Sequence, residues 1–189
     1  MRHLKPSLAL IVLFFLSLST VYGQREADNW IFDGGAGLNF TTGDPVPLFV
    51  NAPTEFAGGT VMSDTLGNIL FSFNGERVYN RNDQVMLNGD GILPVHGGAA
   101  QRAIAFPKPG SETQYYIFSI SPYQFPDGMY YSIVDMTLDG GLGGVTSVKN
   151  VKLTSADNAV EKLFALKSSK GDAYWVITRL SNDDRYACF

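Results

Sequence analysis

Glu55, Gln101 and Glu161 are the residues whose type and spacing point first to chemistry. Each stands ahead of a short apolar segment, and each is followed fourteen positions later by a second one, at Ile69, Tyr115 and Trp175. The units run from Glu55 to Phe73, Gln101 to Ser119 and Glu161 to Thr178, offset by 46 and then 60 residues. If each residue leads into the innermost strand of a repeated sheet, two carboxylates and an amide face one end of a central channel, a common ligand seat. Such a ring could hold a cation, a sugar or a peptide amine. The same side chains have a competing structural use, as hydrogen-bond partners of neighbouring backbone where each strand starts.

The elements that must position them are strands. Thirteen Phe and nine Tyr, with many Val, Ile and Thr, are broken every eight to twelve residues by Gly, Pro, Asn or Asp, a pattern of all-β folds. Thr60 to Ser63 and Ile69 to Phe73 flank the loop Asp64 to Asn68, with Gly67 where a left-handed residue is wanted. Strands at Arg77 to Asn80 and Gln84 to Leu87 complete a first unit of four. A second has Ala103 to Phe106, Tyr115 to Ile120, Met129 to Asp135 and roughly Val148 to Leu153; a third has Leu163 to Leu166, Tyr174 to Thr178 and Arg185 to Phe189. Trp30 to Asp33 and Leu38 to Thr41 read as a hairpin. Strand, turn, strand at this period predicts a partial β-propeller of about three four-stranded antiparallel blades, near 55–100, 101–160 and 161–189. Three blades do not close a ring, so the expectation is a fragment of a larger one, with ends completed in trans as the alternative. A β-sandwich is the rival fold and leaves the repeat unexplained.

The first 23 residues carry Arg2 and Lys5, then the apolar run Leu8 to Leu18, then Val21-Tyr22-Gly23, the pattern of a secretory signal peptide. About a dozen apolar residues fall short of the roughly 20 that span a bilayer. The expected mature region is 24–189, extracellular or at the cell surface and not inserted in a membrane. Losing two cations moves the formal charge from −4 to −6, which disfavours nucleic acid as a partner. Cys188 is the single cysteine, so no internal disulfide is possible. Its bland reading is a small buried hydrophobe.

Catalytic signals are weak. His96 is the only histidine after residue 23, no serine sits in a G-x-S-x-G elbow, and one His with one Cys cannot build a zinc site. Asn80, Asn82, Asp83, Asn88 and Asp90 could ligate calcium, although turn-forming Asx residues explain the same letters. No cofactor and no metal site are expected. Tyr123, Phe125 and Tyr130, near Met129, Pro122, Pro126 and Gly128, form a candidate interaction loop for sugar stacking or protein contact, with core packing as the equal alternative.

Several segments taken together carry a resemblance. They are Asn29-Trp30-Ile31-Phe32, Gly37 to Gly43, Ser63-Asp64 through Gly67 to Phe71, Gln101 leading to Phe106-Pro107-Lys108-Pro109-Gly110, Tyr115 to Phe118, Tyr131 to Met136 followed by Leu138 to Gly143, and Glu161-Lys162-Leu163 with Tyr174-Trp175-Val176. As a set they resemble the N-terminal propeller of large exported surface proteins of Bacteroidota, which often carry PKD or related repeats and end in a gliding-motility-associated or type IX sorting domain. The resemblance implies a ring of the seven-bladed type and a surface role in adhesion, gliding motility or type IX secretion-linked display. Set against the family's pattern, the expectation is a truncated copy, without the further blades, repeats and sorting domain. The expected function is a non-enzymatic exported module that binds a surface protein or glycan. The alternative is a glycan-active hydrolase or lyase fragment, which would need a close carboxylate pair.

Overall fold

The computed structural model of the chain describes residues 25–50, 58–94, 101–122, 127–153, 155, 157–181 and 185–189. The expected signal peptide, Glu55, His96, Tyr123 and Phe125 lie outside the described residues. Fourteen strands form among them: β1 Asn29–Ile31, β2 Ala36–Asn39, β3 Val46–Phe49, β4 Thr60–Ser63, β5 Ile69–Phe73, β6 Val78–Asn80 and β7 Ala103–Pro107; then β8 Gln114–Ile120, β9 Met129–Asp135, β10 Gly144–Val145, β11 Val151–Lys152, β12 Ala159–Lys167, β13 Tyr174–Leu180 and β14 Tyr186–Cys188. The helical elements among the described residues are two short 3₁₀ turns, Asp33–Gly35 and Asp139–Gly141. The fold is all-β.

The strands assemble into four antiparallel sheets in chain order: β1-β2-β3, β4-β5-β6, β7-β8-β9-β10 with β11 also on β9, and β12-β13-β14. Turn chemistry explains the hairpins. Asp64 Oδ1 accepts the backbone N–H groups of Leu66 and Asn68, and Gly67 takes φ 84°, which closes the β4–β5 loop. Asp135 does the same after β9, accepting the Thr137 N–H and hydroxyl through Oδ1 and the Gln114 amide through Oδ2 at 2.9 Å.

Three features differ from the sequence expectation. The N-terminal hairpin gains β3 and becomes a sheet of its own, so four sheets stand where three units and a hairpin were expected. Gln84 to Leu87 makes no ladder. Asn80 Oδ1 accepts the N–H groups of Asn82 and Gln84 and turns the chain, leaving only bridges from Val85 to Tyr79 and from Leu87 to Gly144. The sheet β4-β5-β6 is therefore three-stranded. Cys188 is exposed rather than buried.

Sheets meet face to face. Met62, Phe71, Phe73 and Val78 of the second sheet pack on Ile117 and Val134 of the third. The other face of the third sheet, through Phe106, Ile120 and Met129, packs on Leu163 and Val176 of the fourth. Burial on both faces explains why β8, Gln-Tyr-Tyr-Ile-Phe-Ser-Ile, is apolar nearly throughout instead of alternating. The first and second sheets join through polar groups: Asn29 Nδ2 donates to Ser63 Oγ at 3.0 Å and to the Gly67 carbonyl at 2.7 Å. The first strands of the sheets touch in chain order, β1 to β4, β4 to β7 and β7 to β12.

The Asp135 turn carries a pH prediction. The Gln114 amide, then the Thr137 N–H and hydroxyl, hold its carboxyl below the ordinary aspartate value. The unfolded chain, at about 3.9, therefore takes up the proton first. The resulting stability is present above that value and is lost as pH falls through the lower folded value. Asp135→Asn should be less stable than the parent at pH 6, and the gap in urea midpoint should close toward pH 3. A gap that stays constant over that range refutes the assignment.

Candidate functional site

A groove of about 580 Å³ opens where the first strands of the four sheets converge. Each sheet contributes to its walls: Trp30 from the first, Met62 from the second, Phe106 from the third, Lys167 and Tyr174 from the fourth, with Glu26 just ahead of β1. Glu26 Oε2 is buried and makes no hydrogen bond to the described residues. Burial, followed by the nearby Glu26 carboxylate, pushes the Tyr174 hydroxyl pKa up; burial, then Asp64 and Glu26, does the same for Tyr115. The groove is thus lined by the Glu26 side chain, the Lys167 chain and the rings of Trp30 and Tyr174. This combination fits a ligand with an amine or hydroxyl donor and a flat apolar face.

A second, more apolar cleft of about 350 Å³ lies between the third and fourth sheets. Phe106 is its centre: its ring is 4.5 Å from Tyr174 and 5.5 Å from Phe118, both stacked, and 5.8 Å from Tyr116. Phe106 borders both openings, so the aromatic packing that joins the sheets also shapes the central groove.

Gln101 is exposed and Glu161 half-buried. The Gln101 carbonyl accepts the Leu163 N–H at 3.1 Å, the Glu161 N–H donates to Ser121, and the Glu161 carbonyl accepts the Thr178 hydroxyl. Both residues lie at the junction of the third and fourth sheets and bond across it through their backbones. Glu161 sits in a β-bulge, at φ 38° with Lys162 at 57°. The central groove opens past Phe106 and Pro107, six residues and about 20 Å along the strand from Gln101. Glu26, Trp30, Lys167 and Tyr174 escaped the sequence reading. The repeat locates the β12–β13 turn between Lys167 and Tyr174, but only the packing of sheets turns it toward the centre.

Tyr130 is 7 % exposed, and its hydroxyl donates to Asp127 Oδ2 at 2.9 Å. Lys152 Nζ lies 5.8 Å over its ring and pairs with Asp127 at 3.4 Å and Asp157 at 3.2 Å. Two carboxylates thus share one ammonium. The Asx stretch is likewise engaged within the protein. Lys149 Nζ is 3.1 Å from the Asn88 carbonyl, 3.2 Å from Asn88 Oδ1 and 2.6 Å from the Asp90 carbonyl, and the Asp90 side chain pairs with Arg77 at 2.6 Å. A lysine ammonium occupies the position in which a cation would meet those oxygens.

Comparison with protein-family models, curated proteins and solved structures finds no match to the chain. The class that fold and site define is an all-β chain of four antiparallel sheets around an aromatic and carboxylate-bearing groove.

Proposed function

We propose that the chain is a non-enzymatic, exported binding module of partial β-propeller type, which presents its central groove to a surface protein or glycan in adhesion or in gliding or type IX secretion-linked display. One observation carries this reading: successive first strands touch in order and frame one groove whose walls come from all four sheets. A propeller places its ligand at that position. The glycan-active alternative needs a carboxylate pair free for acid and base work. Asp127 and Asp157 are both engaged by Lys152 and neither lines the groove, which favours binding over cleavage.

The test uses the purified chain against immobilised neutral, amino and acidic oligosaccharides and peptides with a free amino terminus. Probes bearing an amine should be retained best. Glu26→Gln and Trp30→Ala should each weaken retention about tenfold or more, the scale of roughly 1.4 kcal/mol of lost contact. No retention of any probe, or retention indifferent to both substitutions, would sink the reading. Turnover of a retained oligosaccharide would support the enzyme instead.

A further inference from the structure

We infer that the central groove takes a peptide segment of the partner, in which one ammonium and one carboxylate flank an apolar side chain, rather than a glycan. The inference rests on the groove reading proposed above and names what enters it. Lys167 and Tyr174 pair across the last hairpin, so their side chains share a face, and both line the groove. Glu26 lines it from the side of the first sheet. After burial, the Glu26 carboxylate is the second cause that pushes the Tyr174 hydroxyl pKa up, which sets acid and phenol near each other.

The two charges of the groove are unmatched among the described residues. The ion pairs there join Arg25 to Asp28, Arg77 to Glu76 and Asp90, and Lys152 to Asp127 and Asp157. Glu26 and Lys167 belong to none of them, and they do not pair with each other. Glu26 Oε2 is buried without a hydrogen bond to the described residues. A carboxylate held out of water without a donor costs free energy, and a ligand ammonium offsets that cost. Lys167, exposed at the rim, offers the complementary contact to a ligand carboxylate. Because the acid and the lysine stand apart, a ligand that meets both carries its two charges on separate groups.

The neutral polar side chains of the groove are already engaged. Asn29 Nδ2 donates to Ser63 Oγ at 3.0 Å and to the Gly67 carbonyl at 2.7 Å, and its Oδ1 accepts the Asn39 amide at 2.7 Å. Trp30 Nε1 donates to the Ala27 carbonyl at 3.0 Å, so the indole offers a ligand only its ring face. Pro107 has no N–H. A sugar, with a hydroxyl on most of its carbons, would bury several of them here without partners, at a cost for each. An apolar side chain needs none. Between the two charges it meets Trp30, Met62, Phe106 and Tyr174. The volume of about 580 Å³ lies within the range of roughly 300–1,000 Å³ usual for ligand sites.

The test titrates the purified chain by calorimetry with end-blocked tripeptides of both orders, Lys-Phe-Asp and Asp-Phe-Lys. The tighter of the two should bind about tenfold better than its counterparts with Gln for Lys, Asn for Asp or Gly for Phe, and better than a glucosamine oligomer. Glu26→Gln should remove the preference for Lys over Gln and keep that for Asp over Asn; Lys167→Met should do the reverse. A damaged fold would weaken every peptide alike, so selective loss reads the contacts themselves. Lys167 is exposed, so its variant tests the inference even where Glu26→Gln lowers stability. Equal binding of the charged peptides and their neutral counterparts, or a preference for Asp that survives Lys167→Met, overturns the inference. Tighter binding of the glucosamine oligomer, weakened by Glu26→Gln, also overturns it but leaves the proposed function standing with a glycan as partner. No binding of any probe overturns both.

Discussion

Arg102→Ala should lower the stability of the chain by about 3–5 kcal/mol, read as a fall in urea midpoint with the slope unchanged. Arg102 is fully buried at the start of the third sheet, and its guanidinium donates Nη2–H to the Gly75 and Pro94 carbonyls, the first at 2.7 Å. Gly75 accommodates it. A Cβ there would stand 2.9 Å from Nη1, and the backbone has φ 101°, so residue and turn are matched. Two effects oppose each other on substitution. Burial pushes the guanidinium pKa down, against an upward pull from Glu76, so removing the charge relieves a desolvation cost. Against that, alanine leaves two buried carbonyls without a donor, at about 1–3 kcal/mol each, and empties the volume of a long side chain. The losses win because nothing refills the space. Arg102→Met separates the contributions: it restores volume but not donors, so its cost should fall to about 1–3 kcal/mol. An alanine variant with the parent's midpoint would show that the guanidinium holds nothing together.

The sequence spacing was more informative about strands than about faces. The fourteen-residue interval places a second strand at Tyr115 and again at Trp175, and both are strands. Their side chains nevertheless point in different directions. Tyr115 packs toward the second sheet beside Ile117, whereas Trp175 lies on the outward face of the last sheet. The cause is the length of the hairpin turn. Pro107 pairs with Tyr115 across seven residues, whereas Lys167, sixty positions after Pro107, pairs with Tyr174 across six, so Trp175 falls opposite Leu166 instead. A one-residue slip turns a side chain to the other face, and no letter in the turn from Ser168 to Ala173 announces it. The hairpin at Gly34 to Gly37 was visible, but Val46 to Phe49 carries a proline and sits after a turn, so its place as a third strand was not. Glu26 had no local signal either: it precedes the first strand, and only the meeting of four sheets makes its position interior. Arg102 was masked by its neighbour Gln101, since a lone cation in a polar start of a strand reads as solvated until its partners at Gly75 and Pro94 are known.

Phe71→Ala should cost about 3–5 kcal/mol and abolish retention of any groove ligand at temperatures where the parent still binds. Phe71 is fully buried between the second and third sheets, packed with Met62, Val78, Ile117 and Val134, and its ring meets Tyr115 edge to face at 5.7 Å. Removing the ring leaves a closed apolar void. Such a void stays dry, so the lost transfer free energy and the lost contacts add together. Phe106→Ala makes the useful contrast. That ring has more aromatic neighbours, yet it borders two openings, so water and the rings of Tyr116, Phe118 and Tyr174 can move into the gap. Its cost should fall below that of Phe71→Ala, although its effect on groove binding at low temperature should be larger. The order follows from whether the surroundings can relax, not from how many rings are touched. Urea midpoints of the two variants, with probe retention measured well below each midpoint, decide the matter. If Phe106→Ala proves the more destabilising, the junction of the third and fourth sheets is the tighter of the two, and the central groove is held by aromatic stacking rather than by the closed core around Phe71.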